Sequence, residues 1–453
     1  MRKCIQDFQI PCRWVPDMGY GNGFPLFNYY SVFPYYIGAL FSFLVGYINA
    51  AKILFLIPLL LGGVSMYIFS KELTTKQAGF FSGLLYCFAP YRALDSYVRG
   101  AIAESFALSI APLVFYFCLK VIKDGKLKFF LGLVLSIFAF LLSHNIMTLL
   151  FSWILFAFVV LELSLNKFRN VRKLLLGLVL GVGLSAFFIL PAFFEKSLVQ
   201  SENLTKFDLD FRVHFVAIKQ LFERYWGYGA SVLGPNDTIS FQVGWPHWLV
   251  VLGLLLTLGL KKLKVKKLSL IIFFLTTFSI SIFMMHNKSS FVWERLNLLQ
   301  YTQFPWRFLS LSIFSVSILG AFFIDNFNER LKRTSLIIFS LLTIILNFTY
   351  FKPRDFYFYL TDQEKLSGKL WEEQQKSAIF DYLPKTAIES RESAQSSPIL
   401  IRGKSRFENF DKNSNHFKFK SIVSEPSRVE IPVYDFPNWT VFVNGEEFPH
   451  RRQ

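Results

Sequence analysis

Cysteine is scarce in this 453-residue sequence, which contains four copies. Cys87 and Cys118 fall inside apolar runs, so the four residues make neither a disulfide framework nor a set of zinc ligands. Cys4 and Cys12 remain a candidate pair if they face an oxidising compartment. Rossmann and P-loop motifs are also missing, which argues against a soluble nucleotide-binding domain.

Acidic residues are few beside the basic ones, with 31 Asp and Glu against 48 Lys and Arg and a net charge of +17. A basic excess can indicate nucleic-acid binding. Here, however, the Lys and Arg residues stand in short clusters between apolar runs, as they do in the cytoplasmic loops of membrane proteins. We therefore attribute the charge to membrane topology and expect no nucleic-acid partner.

Apolar residues are abundant, at 53% of the chain with a mean hydropathy of +0.40. Several apolar runs approach or exceed the roughly 18 residues that a bilayer crossing requires. The runs cover residues 52–70, 77–90, 102–122, 128–143, 145–163, 173–194, 246–260, 268–285, 306–324 and 334–351. The sequence thus predicts an α-helical polytopic membrane protein with about ten spans.

Basic clusters follow alternate apolar runs. They occupy residues 71–76, 120–128, 167–173, 261–267 and 330–333. If every run crosses the bilayer, all of these clusters lie on one side, and the positive-inside rule identifies that side as the cytoplasm.

The start of the chain, residues 1–51, leaves two interpretations open. If the apolar stretch at 31–48 crosses the bilayer, residues 1–30 are cytoplasmic. If it lies on the outer surface as an aromatic-rich interfacial helix, the opening segment is external and the chain lacks a first span. We favour the second interpretation, in which residues 1–51 form an external first-loop segment of an N-terminally truncated chain.

Two other regions are expected outside the membrane. The loop at 195–245 interrupts the bundle predicted at 52–351 and is long enough to fold over an external cleft. The polar tail at 352–453 contains segments that alternate as strands do, and Asn444-Gly445 is suited to a hairpin turn. We predict a small external β-rich domain there, which could itself be truncated.

The first candidate site lies in the stretch "WVPDMGYGNG". Transfer from a lipid-linked phosphosugar requires an acid that deprotonates the acceptor hydroxyl or holds a metal ion. Asp17 suits that role by position, while Trp14 and Tyr20 offer faces on which a sugar could stack. The competing interpretation is an external turn anchored in the headgroup region by aromatic residues.

The second candidate site lies in "YRALDSYVRGAIAE", residues 91–104. Arg92, Asp95 and Arg99 have a spacing that predicts one helical face, where two guanidinium groups could clamp a phosphate or pyrophosphate. An Arg-Asp-Arg salt-bridge ladder explains the same spacing. Glu104 enters the next span, where a buried carboxylate is costly, and Arg99 would be a sufficient partner.

Two further polar residues stand at predicted external ends of spans. His144, in "LLSHNIMTLL", could be a ligand, a proton carrier or a polar turn residue. Arg307, beside Trp306, could anchor the chain at the interface or pair with a lipid phosphate.

The order of several stretches resembles a known family. "WVPDMGYGNGFPLFNYYSVFPYYIGAL", "YVRGAIAESFAL", "LSHN", "QFPWRFLSL", "FDYLP" and "YDFPNWTVFVNGEE" together resemble bacterial membrane proteins of glycosyltransferase C (GT-C) architecture, and YfhO-like proteins look like relatives. The resemblance implies a transferase that uses a polyprenyl-phosphate sugar on the external face. It also implies an essential acid in the first external loop, which Asp17 could match, although the acid nearest the expected first span has no counterpart unless Asp7 replaces it.

We therefore expect a GT-C-like glycosyltransferase of the cell membrane, with Asp17 as base or metal partner and Arg92, Arg99 and Arg307 around the phosphate. Its expected partners are a polyprenyl-phosphate sugar, membrane lipids and a cell-envelope acceptor, and a divalent metal could take part. The alternative is a non-catalytic transporter or a scaffold for cell-envelope polysaccharide assembly. A transporter would need polar residues deep in several spans, whereas here they gather at the span ends.

Overall fold

The computed structural model describes residues 1–258, 265–376 and 380–451. The predicted basic cluster at 261–267 therefore lies largely outside the described residues. The chain forms two compact units, each built from separate stretches of sequence. The first unit comprises residues 1–50, 186–203 and 358–453, and the second comprises 51–185 and 204–357.

The described residues are mainly α-helical, with short 3₁₀ turns between helices. In chain order the α-helices are α1 Arg2–Gln6, α2 Leu26–Tyr29, α3 Phe33–Val45, α4 Tyr47–Leu73, α5 Lys76–Cys87, α6 Pro90–Tyr97, α7 Ile102–Asp124, α8 Leu127–Leu141, α9 Asn145–Leu165, α10 Val171–Leu184, α11 Ala186–Phe194, α12 Trp245–Leu258, α13 Val265–Met285, α14 Ser290–Arg295, α15 Asn297–Gln300, α16 Leu309–Asp325, α17 Glu329–Asn347, α18 Asp362–Lys365 and α19 Gly368–Lys376. The strands are β1 Ile399–Lys412, β2 Phe417–Glu430, β3 Val441–Val443 and β4 Glu446–Phe448.

The helices support the prediction of a polytopic membrane protein. Among the described residues, six helices are long and apolar enough to cross a bilayer, namely α4, α7, α9, α13, α16 and α17. The pair α10 and α11 would give a seventh span, broken by a bend of 69°. Pro191 lies inside α11 and cannot donate to the Phe187 carbonyl four residues earlier, which instead accepts from Arg13 Nη2 at 3.3 Å.

Four predicted apolar stretches form shorter helices. The runs at 77–90, 128–143 and 246–260 correspond to α5, α8 and α12, with 12, 15 and 14 residues. The stretch at 31–48 corresponds to α3, a 13-residue helix that ends at Gly46 with φ +80°. At 1.5 Å per residue, α3 is about 20 Å long, which is short of a bilayer crossing. Its place on the outer surface stays a prediction.

The core of the second unit surrounds α16. In its most apolar stretch 94% of the residues are buried, and Phe314 packs with Phe69, Phe115 and Phe151. Serines recur along α16 and are buried, and small residues of this kind let neighbouring helices approach closely.

Several basic loops of the second unit meet at one end of its helices. Glu72 accepts from Lys120 and Lys123 at 3.4 and 3.3 Å, and Asn170 donates to the Ile122 carbonyl at 3.1 Å. These contacts bring together the clusters that begin at 71, 120 and 167. The helices α7 and α9 end at these loops and begin at the opposite end, where the candidate site lies.

In the first unit, the opening segment packs against the C-terminal region. Trp14 lies in a buried cluster with Tyr29, Val199 and Phe436. Gln9 Nε2 donates to the Ser414 carbonyl at 2.6 Å. The predicted β-rich C-terminal domain is confirmed as two antiparallel hairpins, β1–β2 and β3–β4. Asn444 and Gly445 form the second turn with φ of +53° and +89°.

Candidate functional site

The candidate site begins at the turn between α6 and α7. Pro90 occupies the first turn of α6, where its missing N–H costs nothing, and the helix ends at Tyr97. Gly100, with φ +62°, lies in the turn that leads into α7. This short connection brings Asp95 and Arg99 next to Glu104 in the first turn of α7.

Two carboxylates and two guanidinium groups form one buried network. Arg99 Nη1 pairs with Asp95 and lies 2.9 Å from Glu104 Oε2. Arg307 Nε lies 3.5 Å from the same Glu104 oxygen. The Asp95 and Glu104 side chains are wholly buried, and that of Arg99 is 15% exposed. Because buried charges are tolerated only when they are paired, these four groups stabilise one another.

Aromatic residues enclose this network. Tyr91 donates its hydroxyl to Glu104 Oε1, and the guanidinium carbon of Arg99 lies 4.5 Å from the ring centre of Trp306. The Trp306 ring also stacks on Phe304 at 4.9 Å and on Phe241 at 5.7 Å between centres. The aromatic rings exclude water and so strengthen the ion pairs.

The turn before α16 fixes Arg307. Gln303 has φ +65°, an uncommon conformation for a residue other than glycine. Its Oε1 accepts from Arg307 Nη1 at 3.0 Å, and the Thr302 carbonyl accepts from the same nitrogen at 2.7 Å. Gln303 also donates to the Leu204 carbonyl at 3.0 Å. The turn thereby points the guanidinium group at Glu104.

Asp95 is an unusual carboxylate within this network. Its Oδ2 is buried and has no hydrogen-bond partner among the described residues. Burial, and then the charge of Glu104, raises the pKa of Asp95, while Arg99 and Arg92 act in the opposite direction. The network can therefore hold a proton on Asp95 near neutral pH.

Arg92 points away from the network, although its spacing predicted one helical face. Because α6 ends at Tyr97, Arg99 does not continue the helix that carries Arg92. Arg92 donates to the Ser105 carbonyl at 3.1 Å, to Ser109 Oγ at 3.0 Å and to the Pro58 carbonyl. Its guanidinium group therefore joins α4, α6 and α7.

His144 is the N-cap of α9. Its Nδ1 accepts from the Met147 amide at 3.1 Å, so the proton of the neutral ring is on Nε2. Burial lowers the pKa of His144, although the charge of Glu104 opposes this. The ring is neutral at pH 7 and lies within electrostatic range of the network.

Asp17, Trp14 and Tyr20 belong to the first unit. The Asp17 side chain is 56% exposed, and its Oδ1 lies 3.1 Å from Lys3 Nζ. Tyr20 stacks on Phe380 with 6.3 Å between ring centres. Trp14 is 5% exposed and packs edge-on against Trp439, so the structure encloses the face that was predicted to hold a sugar. The alternative acid, Asp7, accepts from the Ser414 amide at 2.7 Å.

Residues 27–354 match the model of a membrane-protein family described as 6-pyruvoyl-tetrahydropterin synthase related domain. The chain belongs to this PTPS-related family. The matched region contains the complete network and six of the predicted site residues. No curated protein sequence matches the chain.

Three solved structures resemble parts of this PTPS-related chain at low sequence identity. One is ArnT from Cupriavidus metallidurans, bound to undecaprenyl phosphate, with 12% identity, a TM-score of 0.41 and coverage of 70% of this chain and 54% of that one. Another is the Archaeoglobus fulgidus oligosaccharyltransferase tethered to an acceptor peptide, with 13% identity, a TM-score of 0.43 and coverage of 82% and 51%. The oligosaccharyltransferase AglB from Archaeoglobus fulgidus, in complex with an inhibitory peptide and a dolichol-phosphate, matches at 12% identity and a TM-score of 0.43, covering 82% of this chain and 52% of that one. The chain spans about half the length of these proteins.

Among the described residues of this PTPS-related chain, no three His, Cys, Asp or Glu side chains lie close enough together to hold a metal ion. The site residues that sequence reasoning missed are Tyr91, Gln303 and the ring of Trp306 as a cover for Arg99. The Trp306 ring contacts Arg99 across some two hundred residues of sequence, which no local pattern indicates. Tyr91 and Gln303 stand 13 and 4 residues from their partners Glu104 and Arg307, so these two contacts are local in sequence.

Proposed function

We propose that this protein is a glycosyltransferase that moves a sugar from a polyprenyl-phosphate donor to a cell-envelope acceptor on the external face of the cell membrane. The observation that carries the proposal is the buried network of Asp95, Arg99, Glu104 and Arg307. It lies at the end of the helices opposite the basic loops, which the positive-inside rule identifies as cytoplasmic. Guanidinium groups at that level are suited to a phosphate at the outer membrane surface.

The proposed reaction is a direct displacement at the anomeric carbon. The acceptor oxygen forms a bond to that carbon while the bond from the carbon to the donor phosphate oxygen breaks. Polyprenyl phosphate leaves with the electron pair of the broken bond, and the configuration at the anomeric carbon is inverted. Arg99 and Arg307 stabilise the charge that develops on the phosphate. Arg92 joins α4, α6 and α7 and so supports the turn that carries Arg99.

Asp17 is the proposed base that takes the proton of the acceptor hydroxyl. Support comes from its exposed position in the opening segment and from the resemblance to enzymes with an acid in the first external loop. Its ion pair with Lys3 is solvent-exposed and therefore weak, so the carboxylate remains available. The described residues offer no set of metal ligands around it, and no step here uses a metal ion.

A second candidate function is a non-catalytic transporter or scaffold for cell-envelope polysaccharide assembly. The observation that favours it is the internal pairing of the network, because Arg99 and Arg307 both contact Glu104. A purely structural network would have the same contacts, so the two candidates differ in what happens when Asp17 and Arg99 change.

Sugar transfer from radiolabelled polyprenyl-phosphate sugars, measured in membranes that contain the protein, tests the proposal. We expect transfer by the parent and a loss of about 100-fold or more in Asp17→Asn, since general-base catalysis contributes at least this much. Asp411→Asn is the matched control, because its side chain is 61% exposed in the same unit, and it should transfer like the parent.

Arg99→Lys separates the two candidates further, because lysine keeps the charge and loses the planar fork. If the protein is a glycosyltransferase, Arg99→Lys should insert into the membrane normally and transfer sugar more slowly than the parent. Absence of transfer with every donor would favour the transporter or scaffold. Equal transfer by the parent and Asp17→Asn would remove Asp17 from the mechanism.

A further inference from the structure

A polar cavity of about 600 Å³ lies in the second unit, in the connection between α11 and α12. Its volume is within the range of about 300–1,000 Å³ that is typical of small-molecule sites. Its lining includes the side chains of Glu223, Arg224, Tyr225, Asn236, Asp237 and Phe241. None of these belongs to the network described above.

Hydrogen bonds within the connection preform the cavity. Gly229 and Thr238 pair through a 3.0 Å backbone bond, and Thr238 donates to the Ala230 carbonyl at 3.0 Å. Asp237 closes the intervening turn, because its carboxylate accepts from the Val232 amide at 2.9 Å and from Gln220 Nε2 at 2.7 Å. The walls therefore exist before any ligand arrives.

Tyr225 supplies an aromatic face to this cavity. Its side chain is partly exposed, with 48% of the residue accessible to solvent. A Cβ at Gly227 would lie 2.6 Å from the Tyr225 hydroxyl, so the missing side chain of Gly227 is what allows the tyrosine to lie there. Aromatic faces carry partial negative charge and attract the weakly positive C–H groups on one face of a sugar ring.

Phe241 links the cavity to the network. It is 2% exposed and lines the cavity, and its ring stacks on Trp306, which covers Arg99. Two aromatic rings, those of Phe241 and Trp306, therefore lie between the polar cavity and Arg99.

The cavity lining suits a neutral sugar better than an anion. Carboxylate and amide oxygens of Glu223, Asn236 and Asp237 accept from hydroxyl groups, and Arg224 and Asn236 donate to them. Glu223 pairs with Lys219 Nζ at 2.8 Å and Arg224 offsets Asp237, so the charges at the cavity balance and give no net attraction to a phosphate. The chemistry therefore favours the acceptor over the donor, which carries a phosphate.

We propose that this cavity binds one neutral pyranose residue of the acceptor, stacked on Tyr225. The inference rests on the proposed glycosyltransferase function, since it specifies the acceptor as a glycan with an uncharged sugar. It also gives the connection between α11 and α12 a specific role in substrate selection.

Binding of methyl pyranosides to the purified full-length protein in lipid nanodiscs tests the inference. Saturation-transfer NMR would be measured with methyl α-glucopyranoside, α-galactopyranoside, α-mannopyranoside and methyl N-acetylglucosaminide. We expect at least one probe to bind weakly, with a Kd of about 1 mM. Tyr225→Ala should weaken that binding about tenfold, equivalent to the loss of one good stacking contact, whereas Tyr225→Phe should retain it.

Tyr357→Ala is the matched control, because Tyr357 is 61% exposed in the same unit and lies outside the cavity lining. It should bind like the parent, and all variants should unfold at the parent temperature. The inference is overturned if no probe binds, if Tyr225→Ala binds like the parent, or if Tyr225→Phe loses as much as Tyr225→Ala. No lipid donor is present in this assay, so binding without any transfer activity would reject the proposed enzyme only, and transfer without probe binding would reject the cavity only.

Discussion

Glu104 is the residue on which the buried network depends most. Arg99, Arg307 and Tyr91 all contact its carboxylate, and its side chain is wholly buried. Asp95 pairs with Arg99 alone among these groups. Removal of the Glu104 charge would therefore leave Arg307 without an anionic partner among the described residues.

Glu104→Gln should destabilise the protein strongly. Loss of one partner of a buried ion pair costs about 3–5 kcal/mol, because the remaining charge stays buried. The measurement is the thermal unfolding temperature of the purified protein in detergent, with Glu425→Gln as control, because Glu425 and its partner Lys404 have side chains that are 50% and 74% exposed. An exposed pair contributes about 1 kcal/mol or less. Equal unfolding temperatures for the two variants would show that the Glu104 pairs contribute no more than a surface pair.

His214 should make the connection between α11 and α12 sensitive to acid. The residue is 4% exposed, its Nε2 donates to the Asp208 carbonyl at 2.7 Å, and its Nδ1 contacts Ser231 Oγ at 2.9 Å. Burial lowers the pKa of His214 against the opposing effects of Asp208 and Asp237. The unfolded state therefore binds a proton first, and the His214 contribution to stability is complete above about pH 6.5 and is lost as pH falls below it.

Limited proteolysis at pH 7.5 and pH 5.5 measures this effect, with rates normalised to cleavage of an unfolded substrate. Cleavage between residues 204 and 244 should increase at the lower pH in the parent and not in His214→Asn, which cannot titrate. His416→Asn, at a half-exposed histidine of the other unit, should respond like the parent. A pH response that persists in His214→Asn would contradict the assignment.

Sequence spacing found part of the site and missed the rest for a physical reason. Asp95, Arg99 and Glu104 lie within ten residues, so a local pattern brings them together, and Arg99 is indeed the partner expected for Glu104. Arg92 has a suitable spacing but bonds instead to the Pro58 carbonyl. Arg307 reaches Glu104 across some two hundred residues of sequence, and tertiary packing alone decides such a contact.

A disulfide bond stabilises the opening segment of the chain. Cys4 and Cys12 form a disulfide with 5.5 Å between their Cα atoms, within the usual range for such bonds. The sequence analysis named Cys4 and Cys12 as a candidate disulfide if the segment faces an oxidising compartment, because structural disulfides persist there. The disulfide therefore agrees with an external opening segment, although the location itself stays a prediction.

Cys4→Ser with Cys12→Ser should loosen this element. A cross-link that closes a loop of this length contributes about 2–3 kcal/mol in the chain-entropy treatment. Alkylation with a polyethylene-glycol maleimide after denaturation reads the oxidation state, and the parent should gain two additional labels only after reduction. Proteolysis within residues 1–24 should be faster in the double variant. Complete labelling of the unreduced parent would show that the pair is not oxidised.

For the whole molecule, the sequence predicted the type of most elements but not the number of membrane spans. The apolar runs identified the membrane helices, because burial in lipid requires continuous apolar sequence. They did not fix the number that cross, since α5, α8 and α12 are short helices that hydropathy alone does not separate from complete spans. The β-rich C-terminal domain followed from alternation and the Asn444-Gly445 turn, both of which are local signals.

The orientation of the second unit gives the last prediction. Glu72, Lys120 and Lys123 join two basic loops at one end of its helices, and the positive-inside rule places such an end in the cytoplasm. A membrane-impermeant maleimide applied to intact cells should therefore label Lys219→Cys, at a position 84% exposed beyond α11, and not Lys126→Cys, at an exposed position between α7 and α8. Permeabilised cells should label both variants, and the unsubstituted protein gives the background from its own cysteines. The opposite pattern would invert the bundle and put the buried network on the cytoplasmic side, where an external lipid-linked donor could not reach it.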